Sequence, residues 1–486
     1  MDGAPERTPE PAAETRSGGG PRPAAAPADA PARTLRIPRV PRPRDGRGQD
    51  REILRLAVPA FFALVAEPLF ILADSAVVGH LGTPQLAGLG VAGAVLATLV
   101  NLCVFLAYAT TAGVARLLGA GDRHGAIRQG IDGIWLAALI GVVLLAAGAI
   151  GAPWIVDAFG ASATAAPHAT TYLRISSLGI PAMLIVLAAT GVLRGLQDTR
   201  TPLVVAVAGF SANLALNLLF VYGLHLGIAG SAWGTVAAQC AMGAAYLAVV
   251  IRGARAAGAP LTPDPAGIRA SATAGVPLFV RTVSLRAILL ITTIAATHMG
   301  DNEIATHQVA WQIWTFLAFA LDALAIAAQA IVGRALGAGD AAGARSATRR
   351  MLVWSVWTGV LFGLVVVAAR PLYIPWFTGD PEVRHLLGLV LIAAAALQPL
   401  AGPVFVLDGV LIGAGDGRFL ALTMPIVLGV FAATVAAVLT LGGGLVALWW
   451  CGVGAFMATR LVLLGRRAAG DAWLVTGANV RGGGGK

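Results

Sequence analysis

From residue 56 onward apolar residues gather into twelve long runs, each closed by a short polar break. They are Leu56–Gly79, Val91–Leu118, Ile127–Ile150, Thr170–Leu193, Pro202–Gly223, Ser231–Ile251, Val276–Met299, Ile304–Leu336, Met351–Ala369, Val383–Ile412, Leu420–Leu441 and Leu445–Leu464. A helix needs about 20 apolar residues to cross a hydrocarbon core of ~30 Å, and runs of this length supply them. Lipid offers no partner to backbone N–H and C=O groups, so the runs are helices rather than open strands. The pattern predicts an all-α polytopic membrane protein.

The runs repeat. Val58-Pro59 returns as Val276-Pro277, and Leu118-Gly-Ala-Gly-Asp122 returns as Leu336-Gly-Ala-Gly-Asp340, both 218 residues later (276 − 58 and 340 − 122). The same offset joins His80 to His298, Arg116 to Arg334, Pro153 to Pro371, Pro181 to Pro399, Asp198 to Asp416 and Arg200 to Arg418. A fixed register of Pro, His, Arg and Asp means an internal duplication. Each copy holds six runs, an even number, so both enter the membrane from the same side as parallel repeats. Twelve transmembrane helices in two parallel six-helix lobes, facing each other across a central cavity, are the architecture of a secondary transporter. The glycines of Leu-Gly-Ala-Gly-Asp are expected to turn the chain between helices 2 and 3 and again between 8 and 9.

Composition narrows the function. The chain has 486 residues, 57% hydrophobic and 12% charged; soluble domains carry about 25% charged residues, so a soluble multidomain enzyme is excluded. Cys103, Cys240 and Cys451 each lie within an apolar run, the setting of small buried thiols and not of a disulfide framework. The net charge of +10 is almost wholly arginine, Lys486 being the only lysine. A nucleotide-binding P-loop needs GxxxxGK[ST], so ATP-driven pumping is disfavoured. Nucleic-acid binding is disfavoured by where the charge lies. Breaks after even-numbered runs hold Arg123, Arg128, Arg194, Arg200, Arg252, Arg255, Arg345, Arg349, Arg350 and Arg418. Breaks after odd-numbered runs hold mainly acids and histidines (His80, Asp157, His225, Asp301, Glu303, Asp380, Glu382), with Arg370 and Arg384 against the trend. The positive-inside rule then places both termini in the cytoplasm, in a bacterial inner (cytoplasmic) membrane.

These signals divide the chain. Residues 1–50, rich in Pro, Ala and Arg, are expected to be a disordered cytoplasmic tail, and the arginines from Arg33 to Arg55 serve either as a topology anchor or as a contact with anionic lipid. The first lobe is expected over 51–255 (helices 1–6), a cytoplasmic linker over 256–275, the second lobe over 276–467 (helices 7–12) and a cytoplasmic C-terminal tail over 468–486.

Ionisable groups inside membrane helices are costly and usually face a cavity. With arginines near helix ends such as Arg460 set aside as snorkelling, there remain Glu67, Asp74, Arg174, Arg281, Arg286, Asp322 and Asp408. Asp74 stands out. It lies about one and a half turns before Gly79, and its repeat equivalent is Thr292, so the carboxylate belongs to one lobe only. Burial disfavours a carboxylate's charged form and hydrogen bonds from neutral donors favour it; a group held between the two can exchange a proton when its exposure changes. Asn213 and Asn217 are four apart, on one face of helix 5, and Thr235 early in helix 6 can join them; their equivalents Phe431, Val435 and Val453 are apolar. Glu67, two turns before Asp74, either binds a cationic substrate or pairs with an arginine. Asp322 with Arg281 or Arg286 is a further candidate pair, and Asp408 and Asp198 lie near helix ends, where caps or lobe-to-lobe contacts are expected.

Three motifs carry a resemblance: Ala73-Asp-Ser-Ala-Val-Val-Gly-His-Leu-Gly82, Leu193-Arg-Gly-Leu-Gln-Asp-Thr-Arg-Thr-Pro202 and Leu407-Asp-Gly-Val-Leu-Ile-Gly413. With them the chain, from about Leu54 to Arg467, resembles the multidrug and toxic compound extrusion (MATE) family, in the branch named for DNA-damage-inducible protein F. The resemblance implies a MATE-type (MOP) fold and export of amphipathic, often cationic, organic compounds in exchange for protons or sodium. It implies that Asp74 is the coupling carboxylate, that Asn213, Asn217 and Thr235 complete its network, and that Tyr172 lines the substrate cavity. Another branch binds cations with acids on helices 7 and 10; here helix 7 offers Arg281 and Arg286 instead, so that sodium site looks disabled.

The expected function is therefore a proton-coupled antiporter working by alternating access, a monomer in the bilayer with no cofactor beyond the ion gradient. Its rivals are sodium coupling at the same first-lobe site, a flippase for a lipid-linked precursor, and a membrane scaffold that transports nothing.

Overall fold

The computed structural model of the protein describes residues 46–478 together with Gly3. The tail expected to be disordered lies outside the described residues as far as residue 45, apart from Gly3. Residues 46–50 are already helical.

The spans, in chain order, are α1 (Arg47–Gly79), α2 (Thr83–Gly119), α3 (Arg123–Ala158), α4 (Ala166–Ser177 and Ile180–Gly195), α5 (Arg200–Gly223), α6 (Gly227–Ala257), α7 (Pro265–Met299), α8 (Asp301–Gly337), α9 (Ala341–Phe377), α10 (Pro381–Gly413), α11 (Gly417–Thr440) and α12 (Leu445–Ala469). Eleven of them are long and apolar enough to cross a membrane singly, and α4 makes the twelfth span as two pieces meeting at 52°. Each apolar run in the sequence falls on one span. α7 begins at Pro265, so the second half of the expected inter-lobe linker is helix, and the true connection runs only from Gly258 to Asp264.

Local chemistry sets the ends. Gly121 and Gly339 take φ of +83° and +77°, the left-handed conformation that glycine adopts freely. Asp122 and Asp340 then cap the next helices, each accepting at 2.7 Å from the backbone N–H of Gly125 and Gly343. The duplicated motif thus turns the chain as expected. Asp198 caps α5 in a related way, accepting from Arg200 N (3.0 Å) and from the hydroxyl of Thr201 (2.6 Å).

α1–α6 and α7–α12 form two six-helix halves. α8 and α10 are the most enclosed: 72% and 61% of their most apolar windows are buried, against 17% for α1. The halves meet where α2 and α1 pack on α8 and where α2 packs on α7. α1 begins and α12 ends at one end of the bundle, called here the terminal end; the other is the far end. Among the described residues, every hydrogen bond between the halves lies at the terminal end. Asp50 accepts from Arg350 (2.6 and 2.7 Å) and from the indole N–H of Trp354 (2.7 Å), and Arg334 donates to Glu52 and Gln197, both at 2.6 Å. The first residues of α1, expected to be part of the tail, therefore tie the halves together.

Candidate functional site

Asp74 sits one turn and a half from the far end of α1, 6% exposed. Three neutral donors from three helices reach it. The Asn217 amide donates to Oδ1 at 2.6 Å and the Ser231 hydroxyl to the same oxygen at 2.7 Å. The Tyr172 hydroxyl donates to Oδ2 at 3.3 Å. All three donors are buried, and no cationic side chain lies within ion-pair distance of this carboxylate among the described residues. Beside it the Asn213 amide donates to Thr235 Oγ1 at 3.2 Å. The amide oxygens of Asn213 and Asn217 are buried without a partner.

Irregular backbone aims these groups. α4 breaks between Ser177 and Ile180, next to Gly179 and Pro181, a pairing that frees the helix ladder at that point; Tyr172 comes from its outer piece. α5 ends in a π-helical turn, Leu219–Gly223, a widening often found at functional sites. Within it the Tyr222 hydroxyl donates to the carbonyl of Val77 at 2.7 Å, which fixes the last turn of α1 against α5. Gly234 makes room: a Cβ there would lie 2.0 Å from Asn217 Oδ1.

The candidates Asp74, Asn213, Asn217 and Thr235 thus converge, and Tyr172 joins the same cluster. Glu67 does not. It is exposed, and it makes no hydrogen bond or ion pair among the described residues. Ser231 was not among the candidates, although it stands four residues before Thr235 on one face of α6, a spacing that points to it.

The second half holds a different cluster. Asp408 forms a two-pronged ion pair with Arg281, by Nε at 3.1 Å and by a second bond from Nη2, and a further pair with Arg460 at 3.1 Å. Three expectations fail here. Arg460 does not snorkel; it is 4% exposed and turned inward, over the faces of Phe405 and Phe456. Arg281 pairs with Asp408 and not with Asp322, and Asp408 belongs to this buried pair and neither caps a helix nor joins the halves. Asp322 and Arg286 are half-buried and make no ion pair among the described residues. The Arg281 guanidinium thus bridges α7 and α10.

Comparison with known proteins bears on the family and the fold. The family model described as MatE matches residues 59–219 and again 277–438, two stretches that start 218 residues apart (277 − 59) and fall on the two halves. The chain is 31% identical over 430 residues to "Protein DETOXIFICATION 44, chloroplastic" of Arabidopsis thaliana, covering 85% of this chain and 80% of that one. It is 28% identical over 416 residues to "DNA damage-inducible protein F" of Escherichia coli (strain K12), covering 85% and 90%. In fold it resembles a MOP superfamily transporter from Pyrococcus furiosus with a TM-score of 0.78 at 20% identity, over 87% of this chain and 96% of that one. Duplicated halves, twelve spans and a match that begins anew in each half lead to one assignment: this multi-pass membrane protein belongs to the MATE family, whose members are transporters and not enzymes.

Proposed function

We propose that the protein is a proton-coupled antiporter that exports amphipathic organic cations, with Asp74 as the protonation switch. The observation that carries this reading is the Asp74 cluster: one acid, enclosed by three neutral donors, with no cationic side chain of the described residues paired to it. An ionised carboxylate only accepts hydrogen bonds, whereas a protonated one must also donate. Proton uptake therefore forces Tyr172, Asn217 or Ser231 to turn, and α1 repacks against α4, α5 and α6. A neutral Asp74 also releases a cationic substrate held near Glu67, about 10 Å away along the helix. Both termini lie in the cytoplasm on this reading, since the arginine-rich breaks share the terminal end. Among the described residues the hydrogen bonds between the halves lie only at that end, an arrangement that fits an outward-facing state. Exchange of one proton for one monovalent cation is electroneutral, so each pH unit, about 1.4 kcal/mol, supports about a tenfold substrate gradient.

Proteoliposomes with an imposed pH gradient and no sodium test this. The parent protein is expected to move a cationic dye, and Asp74→Asn is expected to move none. Full gradient-driven activity in Asp74→Asn removes the residue from the mechanism. A second reading, sodium coupling at the same place, is favoured by the unpartnered amide oxygens of Asn213 and Asn217, because a hard cation takes oxygen ligands. Transport that appears only when sodium is added selects it.

A further inference from the structure

At the terminal end α2 and α8 cross with the symmetry of the duplication. A Cβ on Gly119 would lie 2.0 Å from the carbonyl oxygen of Arg334, and one on the equivalent Gly337 would lie 2.0 Å from that of Arg116. The two arginines are equivalent as well, and each reaches into the opposite half. Arg334 donates to Gln197 and to the carboxylate of Glu52. Arg116, 1% exposed, donates to the carbonyl of Ala414 at 2.6 Å.

Here the symmetry stops. Where Arg334 has a carboxylate, Arg116 has the backbone of the C-terminal segment: it donates to the carbonyls of Val475 and, at 3.3 Å, Gly477. That segment rides on the second half. The N–H of Gly477 donates to the carbonyl of Leu336 at 3.0 Å, Asp471 pairs with Arg345, and Trp473 is 1% exposed with its indole N–H on the carbonyl of Ala468 at 3.0 Å.

We propose that residues 470–478 are a latch, carried by the second half and closed on the first through Arg116, that holds the terminal end shut and must release for the opposite-facing state. The proposal rests on the alternating-access reading above. The physical case is the inequality of the two arginines. Both arginines make charge-assisted hydrogen bonds, but Arg334 also meets an opposite charge in Glu52 at 2.6 Å, and that added Coulomb attraction makes its side the firmer. Apart from its bond to Ala414, the Arg116 side ends on neutral carbonyls of a strap that can lift away whole, with no helix having to break. Of the strap's own anchors, the Arg345–Asp471 pair is exposed and contributes little; buried Trp473 and the Gly477 N–H on Leu336 are the ones that hold.

The test is a distance measurement across the terminal end. Spin labels are placed at two exposed positions, Arg123→Cys in the first half and Arg349→Cys in the second, with Cys103→Ala, Cys240→Ala and Cys451→Ala removing the native thiols. Distances are compared between the full chain, a chain ending at Ala469, and Trp473→Ala, which keeps the strap and Arg116 but removes one of its anchors. The truncation removes both bonds from Arg116 to the strap, and one hydrogen bond to a charged group is worth about tenfold in an equilibrium. It is therefore expected to raise the long-distance population by about tenfold or more. Trp473→Ala, which loosens the strap without deleting those bonds, is expected to raise it in the same direction by less. An unchanged distribution in both variants overturns the latch. Efflux is read in parallel. Distances that respond in a protein showing no gradient-driven efflux leave the latch standing and sink the antiporter reading; efflux with unresponsive distances does the reverse.

Discussion

In the first half, Tyr172, Asn217 and Ser231 close around Asp74, and Asn213 meets Thr235 beside it. In the second half the positions 218 residues later are Val390, Val435, Trp449, Thr292, Phe431 and Val453. All are buried, and Trp449 and Phe431 are fully so. The reverse also holds. Arg281, Asp408 and Arg460 answer to Ala63, Thr190 and Met242 in the first half. Each half therefore has a polar cluster built at positions where the other is neutral or apolar. Asp74 is held by groups that carry no charge, so a proton can settle on it without stranding a cation. Asp408 lies between two guanidiniums, and protonating it would leave both, buried, without their ion-pair partner. On the proposed reading one acid changes state and the other keeps it.

The sharpest way to break this contrast is to neutralise each acid and ask what fails. Asp74→Asn is expected to abolish gradient-driven dye efflux while unfolding, in a thermal scan in detergent, at the temperature of the parent. Asp408→Ala is expected to fail by unfolding, since breaking a buried ion pair from one side costs about 3–5 kcal/mol. Replacing the whole set by Arg281→Met, Asp408→Leu and Arg460→Met should then restore most of that loss, because buried ion pairs exchanged for packed apolar side chains are often neutral in stability. If Asp408→Ala stays folded and loses efflux, the second-half cluster belongs to transport and the contrast falls.

How much of this was legible in the sequence follows from what lipid enforces. The twelve spans could be read because each must satisfy its backbone internally over a fixed thickness, and the duplication because Pro, Arg and Asp kept register. Asp74, Asn213, Asn217 and Thr235 could be read because an isolated acid and an i, i+4 amide pair have few reasons to exist in a membrane helix. Ser231 escaped because serine in such a helix commonly bonds its own backbone, so its type alone signals little. Arg460 escaped because nine residues separate it from the end of α12, close enough to suggest snorkelling, and only tertiary packing turns it inward. The same holds for Gly119 and Gly337. Their motif announces a turn, which Gly121 and Gly339 make; the crossing of α2 and α8 is a meeting of the two halves that no local pattern records. The break in α4 was equally hidden. Its equivalent α10 carries Pro399 and Pro403 and still runs as one helix from Pro381 to Gly413, with Leu397 where α4 has Gly179.

The finest probe of the comparison is a pair of equivalent glycines, Gly234 in α6 and Gly452 in α12 (452 − 234 = 218). A Cβ on Gly234 would stand 2.0 Å from Asn217 Oδ1 and 3.1 Å from the Asn217 backbone N. Gly234→Ala must push the amide off Asp74, an overpacking expected to cost about 1–3 kcal/mol, and efflux should fall with it. A Cβ on Gly452 would meet Leu448, Phe431 and Val435 at 3.4–3.7 Å, ordinary contact distances. Gly452→Ala should therefore gain the backbone entropy that glycine gives up on folding, about 0.5–1 kcal/mol, with efflux unchanged. Thermal midpoints and dye efflux for the two variants, measured side by side, decide it. Opposite signs in stability mean that the first half keeps its glycine for the polar cluster and the second only by descent. Equal losses at both positions would mean that close helix packing, common to both halves, is the reason for the pair, and the cluster around Asp74 would lose one of its supports.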